Sequence, residues 1–455
     1  MKKVLAVTLL ALLLLLTACG GNGGGNGTTT GTPVNTNPPA TDVTTTPPAV
    51  DTTTEKPADV TTTPSGSVEV TTPAVTDPVD PGEPIDPNAT QIATAADLLA
   101  FMASPKLDGS YVLTADITLN DIANVANWAT TAPATAWTPV GSVSAPFTGS
   151  FDGRGHKITG LYVSVDEAAG FFGCISGATV KNLVIGEGFI SATTKVAGGI
   201  SGYYGDGISL EGCVNLATVV SKQYVGGMIG CETGTITTGM IINCVNRGRI
   251  AGFSTGSSGA ATYAGGIIGQ YKSILIESCA NFGHVSVGYD LNGNVISDKA
   301  AIVGGIAGVM ANTGAAIKNC YNAGTVSASV NTGNAAIGGI VGRMNTNGLE
   351  VSDCYNTGKV LVRAEGSTME MNAYVAAPNG SGVDYSSNLY NSGKMYNVAS
   401  GSEVETTPKN TEKGLVGAVA TGSGAVAKMN FGSAIWEDTA TGAPILKGIS
   451  ADWQK

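Results

Sequence analysis

Charge and histidine are scarce in this 455-residue sequence. Charged residues make up 13% of it, and only two residues are histidine. Between residues 20 and 88, nine acidic residues are accompanied by a single lysine, and the remainder of the chain is also acidic overall. Nucleic-acid binding needs a concentrated basic surface, so this composition argues against a nucleic-acid partner.

Sequence motifs of common catalytic and metal sites are missing as well. There is no Cys-x-x-Cys pair, no histidine pair at ligand spacing, no phosphate loop and no dinucleotide fingerprint. No stretch between Phe147 and Met395 keeps a 3.6-residue apolar period with helix caps. We therefore expect no metal, no cofactor, no catalytic residue and few helices.

Glycine, in contrast, is abundant, and many of the 64 glycines lie in a repeated unit. A Gly-Gly-apolar-x-Gly segment begins at Gly198, Gly226, Gly265, Gly304 and Gly338. A Cys-x-Asn segment that ends on an apolar residue begins at Cys213, Cys244, Cys279, Cys320 and Cys354, with an echo at Leu389. Self-similarity at roughly 30 to 40 residues indicates stacked units that bury their apolar faces against one another.

The spacing of apolar residues within each unit favours short strands. One apolar residue follows each glycine pair, and another lies three positions before each cysteine. We expect both this second apolar residue and the cysteine three positions later to be buried. Because an odd offset cannot place both on one side of a straight strand, the backbone should turn between them. We predict an all-β fold, a parallel β-helix with three short strands per repeat and a right-handed coil.

The repeated asparagines and cysteines have structural interpretations. Stacked asparagines should form a ladder of side-chain amides, as identical residues do in cross-β packing. Its members are Asn215, Asn246, Asn281, Asn322, Asn356 and Asn391. We interpret the five repeated cysteines as buried thiols that act as small apolar residues, the alternative being disulfide pairing between neighbours.

The N-terminus predicts export and anchoring. Residues 1–18 have a basic start and an apolar run too short to favour a membrane span, which is typical of a secretory signal. The following Leu-Thr-Ala-Cys resembles a bacterial lipobox, which implies a lipid on Cys19. Residues 19–89 are rich first in Gly and then in Thr and Pro, and we expect a disordered linker.

The folded part should begin with a cap. Thr94 and Asp97 have the spacing of a capping box before a short amphipathic helix, which we expect to cover the open end of the stack. We assign residues 90–168 to this cap and the first coils, and 169–400 to the repeats. In 401–455 we expect a C-terminal cap, with Trp436 folded over the last coil.

The repeats resemble those of a known family. GGIVG from Gly338 and CYNTGKV from Cys354 are similar to the GLUG-motif repeats of bacterial surface proteins, including non-catalytic parts of some immunoglobulin A proteases. PFTGSFDGRGHKITGLYV, from Pro146, resembles the segments that lead into such repeats. The resemblance implies a β-helix displayed at the cell surface.

Some parallel β-helices degrade polysaccharides, so a lyase or glycosidase is the alternative function. Such enzymes need carboxylates and bases together on one face. The residues two positions before the cysteines form a row that mixes acidic, basic and uncharged side chains. We interpret this row as solvated charge with a weak Glu277–Lys318 contact. The row is Glu211, Ile242, Glu277, Lys318 and Ser352.

Three smaller polar features also have structural interpretations. Asp152, Arg154 and His156 form a compact trio that we assign to a tight turn, and His284 to a structural or surface position. The segment from Asp290 resembles a calcium loop but lacks its terminal glutamate.

We therefore expect a lipid-anchored, extracytoplasmic protein that is not an enzyme. Its solenoid should bind an extracellular glycan or protein, or act as a structural module.

Overall fold

The computed structural model of the protein describes residues 84–253, 261–296, 300–312, 314–330, 334–345, 349–364, 371–373, 375–378, 388–399, 402–407 and 415–454. All of them belong to one structural unit, Val75–Lys455. The predicted signal peptide, Cys19 and nearly all of the predicted linker lie outside the described residues.

The described chain forms a parallel β-helix, which confirms the predicted fold class. Each complete coil contributes one strand to each of five sheets, numbered here in the order in which the chain visits them. Sheet 1 consists of Val196–Gly198, Tyr224–Gly226, Thr262–Gly265, Ala301–Gly304, Ala335–Gly338 and Met371–Ala373. Sheet 2 consists of Phe172–Ile175, Ser201–Tyr204, Ile229–Glu232, Ile268–Tyr271, Ala307–Met310, Val341–Met344 and Ala376–Pro378.

The other three large sheets extend to one or both ends of the stack. Sheet 3 consists of Thr90–Ile92, Ser110–Leu113, Ser150–Asp152, Thr179–Lys181, Ile208–Glu211, Gly239–Ile242, Leu275–Glu277, Ala316–Lys318 and Glu350–Ser352. Sheet 4 consists of Ile117–Thr118, Lys157–Thr159, Val184–Ile185, Val214–Asn215, Val245–Asn246, Ala280–Asn281, Tyr321–Asn322, Cys354–Asn356, Leu389–Asn391 and Leu415–Gly417. Sheet 5 consists of Tyr162–Val165, Phe189–Ala192, Thr218–Ser221, Ile250–Gly252, Val285–Val287, Val326–Val330, Val360–Ala364, Met395–Ala399 and Ser402–Thr406.

The prediction of three strands per repeat was wrong, because each coil turns at more corners than the apolar spacing shows. One extra corner lies at the glycine pair, between sheets 1 and 2. There a Cβ added to Gly226 would lie 2.0 Å from the carbonyl oxygen of Ile229. Another lies just before each repeated cysteine, where the backbone enters the left-handed region between sheets 3 and 4. The predicted turn between each cysteine and the apolar residue three positions before it is therefore present.

The core fills the inside of the coils. It contains the apolar residue after each glycine pair and the one three positions before each cysteine, all fully buried. Across the core, the second glycine of a pair faces the asparagine ladder: a Cβ on Gly266 would lie 2.4 Å from Cγ of Asn281. The two repeated motifs occur together because the asparagine side chain occupies the space that the glycine leaves.

A helix covers the N-terminal end of this core. It spans Ala95–Ala103, and the Thr94–Asp97 capping box is formed as expected. Phe101 extends from the helix into the core, where its ring stacks on Phe171 at 6.1 Å and lies 4.5 Å from Tyr111. A 3₁₀ helix, Ile122–Asn127, follows on the outside of the first coils.

The C-terminal segment differs from its expected position. It contains the helix Ala425–Lys428, the two-stranded sheet of Trp436–Glu437 and Ile445–Leu446, and the 3₁₀ helix Ala451–Trp453. These elements pack on the outer face of sheet 4, where Tyr321, Tyr355 and Tyr390 form an apolar column. Trp436 therefore covers the side of the stack and not its last coil, because its ring packs against Tyr321 and Tyr355 of this column.

Candidate functional site

The repeated asparagines lie in one buried column at the corner between sheets 4 and 5. Each side chain donates one Nδ2 hydrogen to a carbonyl two residues ahead, and all but the last, Asn391, donate the other to Oδ1 of the asparagine in the next coil. The five ladder bonds, from Asn215 to Asn391, measure 2.9, 2.8, 2.7, 2.8 and 2.9 Å. The ladder thus satisfies buried polar groups along the whole column.

The repeated cysteines form a second buried column, and the seven described cysteines are free thiols. Each thiol of the column donates to the carbonyl oxygen two residues before it, as Cys320 Sγ does to Lys318 O at 3.1 Å. Burial raises the pKa of the Cys174 thiol to about 12, and burial also raises the pKa of Cys244. Cys174 and Cys244 are therefore protonated at neutral pH.

A third column, which the sequence reasoning missed, precedes the cysteines. The residue before each repeated cysteine, or before its counterpart Leu183 or Leu389, has a φ between 52° and 67°. The column consists of Asn182, Gly212, Asn243, Ser278, Asn319, Asp353 and Asn388. The signal was present in the sequence, because Asn, Asp and Gly are the residues that tolerate the left-handed region most readily.

The polar candidates on the outside of sheet 3 are held in local contacts. Asp152 accepts the backbone N–H of Arg154 at 2.9 Å, and Lys181 pairs with Asp152 at 3.3 Å, so this region is a tight turn. The expected weak Glu277–Lys318 contact is present as a charge–charge attraction between register neighbours in sheet 3. Lys318 also pairs with Glu350 at 2.9 Å, and Glu277 accepts from Asn319 at 3.1 Å.

The two histidines lie far apart in the coil. His156 Nδ1 lies 3.3 Å from Asp116 Oδ1 near the N-terminal end. His284 Nε2 lies 2.8 Å from Oγ of the buried Ser327 on sheet 5. Burial, assisted by the nearby Arg249 guanidinium, lowers the pKa of His284 to about 4. His284 is therefore neutral at physiological pH.

Two further carboxylates lie in well-connected clusters that the sequence gave no reason to select. Tyr203 donates its hydroxyl to Glu167 at 2.6 Å, and Lys195 pairs with the same oxygen at 3.1 Å. Two coils later, Gln270 and Lys272 both contact Glu232 Oε1 at 2.8 Å, and Glu232 is 1% exposed. Each cluster joins residues from neighbouring coils that are distant in sequence.

The loop that resembles a calcium site is closed by its own hydrogen bonds. Asp290 Oδ1 accepts the N–H groups of Asn292 and Asn294, and Oδ2 accepts Nδ2 of Asn294. These bonds lower the pKa of Asp290 and occupy both carboxylate oxygens. Within the described part of the chain, no group of three or more His, Cys, Asp or Glu residues is arranged to hold a metal ion.

A cavity lies where the coil stack ends. It has a volume of about 420 Å³, between the last strands of sheets 4 and 5. Its walls are Asn391, Ser392, Gly393, Lys394, Glu405, Leu415, Val416 and Gly417. Leu415 and Val416 are 37% and 59% exposed, and Lys394 Nζ pairs with Glu405 at 2.9 Å. This site combines an apolar wall with hydrogen-bonding groups at the open end of the ladder.

Comparison with solved structures supports the architecture. The chain is similar to a protein described as a putative immunoglobulin A1 protease from Bacteroides ovatus, with a TM-score of 0.51 and 20% identity over 79% of this chain and 92% of that one. A second structure, described as an IgA1 protease, has a TM-score of 0.46 and 15% identity over 72% of this chain and 23% of that one. No family model matches the chain. No curated protein matches it either. The resemblance to GLUG-motif repeats therefore stays a prediction.

The name of the first structure corrects one expectation. We expected a chain that is not an enzyme, whereas the solved protein of similar fold is described as a putative immunoglobulin A1 protease. At 20% identity the first likeness shows the fold alone, so it assigns no catalytic residue to this chain. The expectation is withdrawn because it depended on missing sequence motifs, whereas catalytic groups are recognised by their geometry.

Proposed function

We propose that this protein is a lipid-anchored cell-surface protein whose β-helix binds an extracellular ligand. The observation that carries the proposal is the cavity at the end of the stack, where exposed apolar side chains lie beside hydrogen-bonding groups. Binding sites commonly combine an apolar wall with a few polar groups in this way. The site is an open depression of about 420 Å³, so a bound ligand would keep one side in solvent.

Display at the cell surface is the second part of the proposal. It is supported by the lipobox-like segment before Cys19 and by the Thr- and Pro-rich stretch up to residue 89. In the described ranges, no helix is long and apolar enough to cross a bilayer. An acyl chain supplies about 0.8 kcal/mol of membrane affinity per buried CH₂, so lipid on Cys19 would hold the protein at a membrane surface.

Anchoring is tested with Cys19→Ser in the full-length protein. Cells fed radiolabelled palmitate should label the wild-type protein and the control Thr28→Ser, but not Cys19→Ser. The Cys19→Ser protein should also leave the membrane fraction. Equal labelling of all three proteins would contradict acylation at Cys19.

Binding is tested with the full-length protein on arrays of glycans and extracellular-matrix proteins, with product release followed in the same samples. Saturable binding to at least one class of ligand is expected. If no ligand on either array binds saturably, the binding function is wrong.

Proteolysis is a second candidate function, because the solved protein of similar fold is described as a putative immunoglobulin A1 protease. Incubation of the purified full-length protein with immunoglobulin A1 tests this candidate, with cleavage followed by gel electrophoresis and mass spectrometry. Specific cleavage fragments would establish a protease. Release of oligosaccharides from the array would instead establish a polysaccharide-degrading enzyme.

A further inference from the structure

The asparagine ladder ends with an unused donor. In the inner coils, each asparagine uses one Nδ2 hydrogen on a carbonyl two residues ahead and the other on the next asparagine. Asn391 accepts from Asn356 at 2.9 Å and donates to Gly393 O at 2.7 Å. No described residue takes the second Nδ2 hydrogen of Asn391, because the column stops there.

This donor belongs to the wall of the cavity at the end of the stack. Ser392 and Gly393 continue the wall beyond Asn391, and the neighbouring strand Leu415–Gly417, which pairs with Leu389 and Tyr390, contributes the apolar part. Leu415 and Val416 are among the exposed large apolar residues of the described chain. A ligand in the cavity would therefore meet an amide N–H and an apolar surface together.

The Lys394–Glu405 pair adds a third kind of contact. The pair is formed at the cavity wall, with side chains 60% and 56% exposed. An ammonium donates hydrogen bonds and a carboxylate accepts them, so the pair can serve both functions of a hydroxyl group. Because the two charges compensate each other, the cavity favours a neutral polar ligand over an anion.

These three contacts match one class of ligand. We infer that the cavity binds a 2-acetamido sugar, with the acetamido carbonyl accepting the free Nδ2 hydrogen of Asn391 in place of the next asparagine. The acetamido methyl group packs on Leu415 and Val416, and the ring hydroxyls bond to Lys394 and Glu405. This inference rests on the proposed binding function and names its ligand class.

The binding test uses the full-length protein and isothermal titration calorimetry. The probes are a tetramer of N-acetylglucosamine, a tetramer of glucose and an N-acetylated tetrapeptide. The N-acetylglucosamine tetramer should bind about tenfold more tightly than the glucose tetramer. Only the former has a carbonyl group that can accept the free Nδ2 hydrogen of Asn391. Equal binding of both tetramers would overturn acetamido recognition. Binding of the peptide alone would also overturn it, while leaving the binding function intact.

Two variants locate the site. Asn391→Asp keeps the oxygens that accept from Asn356 and Gly393 but removes both Nδ2 hydrogens, the free one and the one donated to Gly393 O, so affinity for the N-acetylglucosamine tetramer should fall about tenfold. Asn397→Asp, on the neighbouring strand of sheet 5 and outside the cavity wall, is the matched control and should bind as the wild type does. Unchanged affinity in Asn391→Asp would overturn the inference.

A steric variant keeps the test decisive if Asn391→Asp unfolds. A Cβ added at Gly417 meets no atom within 4 Å, so Gly417→Trp should fold normally and fill part of the cavity. Loss of binding in a folded Gly417→Trp protein supports the site. Full binding in that protein would place the ligand elsewhere and overturn the inference. The proposed binding function itself would be wrong only if no ligand on the arrays bound to the protein.

Discussion

At the scale of single residues, the buried polar groups of this protein depend on neighbours in adjacent coils. Asn281 is fully buried, accepts from Asn246 and donates to Asn322. Its environment is apolar apart from the ladder and the backbone of its own corner. An unpaired amide there would cost more than an intact bond contributes, because a buried polar group that loses its partner also loses solvation by water.

Asn281→Ala should therefore be strongly destabilising. It leaves Nδ2 of Asn246 and Oδ1 of Asn322 without their ladder partners, and we expect a loss of about 3 kcal/mol in unfolding free energy. Asn391→Ala is the control, since it removes a single ladder bond at the end and should cost about 1 kcal/mol. Urea unfolding followed by circular dichroism measures both. Equal losses would contradict a cooperative role for the ladder.

His284 should make stability depend on pH. The pKa of His284 is about 4 in the folded protein, against an ordinary value near 6.5. Between these values the unfolded chain binds a proton that the folded chain does not, so stability falls as the pH is lowered from 6.5 to 4. The loss reaches about 3 kcal/mol and then levels off.

The variant His284→Gln checks this assignment, because glutamine does not titrate. Thermal unfolding measured from pH 7 to pH 4 should show a smaller decrease in Tm for the variant than for the wild type. A decrease of the same size in both proteins would show that other groups control the acid response.

At the scale of the elements, the corners shape each coil more than the strands do. The strands hold two to five residues, which is too short to be stable alone. Between sheets 3 and 4, each repeat bends through a residue with positive φ. A left-handed conformation costs an ordinary L-residue about 1–2 kcal/mol, and Asn or Gly reduces that cost.

Asn182→Val tests the corner, because Asn182 has a φ of 54° and is only half-buried. The β-branched side chain should destabilise the protein by about 1–2 kcal/mol through backbone strain. Asn182→Gly should remain close to the wild type, because glycine adopts this conformation freely. Chemical denaturation of the wild type and the two variants measures these differences in unfolding free energy. Equal stability of the Val and Gly variants would be inconsistent with strain at this corner.

At the scale of the whole molecule, the C-terminal segment is attached to the side of the stack through aromatic contacts. Trp436 lies between Phe431, Tyr321 and Tyr355, with ring centroids 4.8, 5.9 and 5.6 Å away. Hydroxyls of the tyrosine column donate to the segment, as Tyr355 does to Pro444 O at 2.6 Å. The segment has little core of its own, so its order depends on this column.

Trp436→Ala should release the segment while the coils persist. Removing a buried tryptophan costs about 3–5 kcal/mol, which exceeds what so small a segment can lose. Limited proteolysis should then cut within residues 425–454 and leave a resistant fragment that ends close to residue 417. If the coils became sensitive at the same protease concentration, the segment and the stack would form a single cooperative unit.

The Thr94–Asp97 spacing predicts the helix at the N-terminal end, and the repeated motifs by themselves predict the parallel β-helix. They do so because every coil repeats the same short-range requirements: a glycine pair, an inward apolar residue, and an asparagine at a fixed distance from a cysteine. The cavity at the end of the ladder could not be predicted, since Lys394 and Glu405 meet Leu415 only after the last coil has closed. Asn391 looked like its five predecessors in sequence, and only its place at the end leaves it a donor.

The sequence alone therefore determined which residues stack, because the period of the repeat is a local property of the chain. Only the tertiary structure decided how many corners each coil makes and where the C-terminal segment lies. It also decided which carboxylates join across coils, as Glu232 and Lys272 do. Those outcomes depend on contacts between residues far apart in sequence, whose spacing along the chain carries no regular signal. The surface that remains exposed after the coils have stacked determines where such contacts can form.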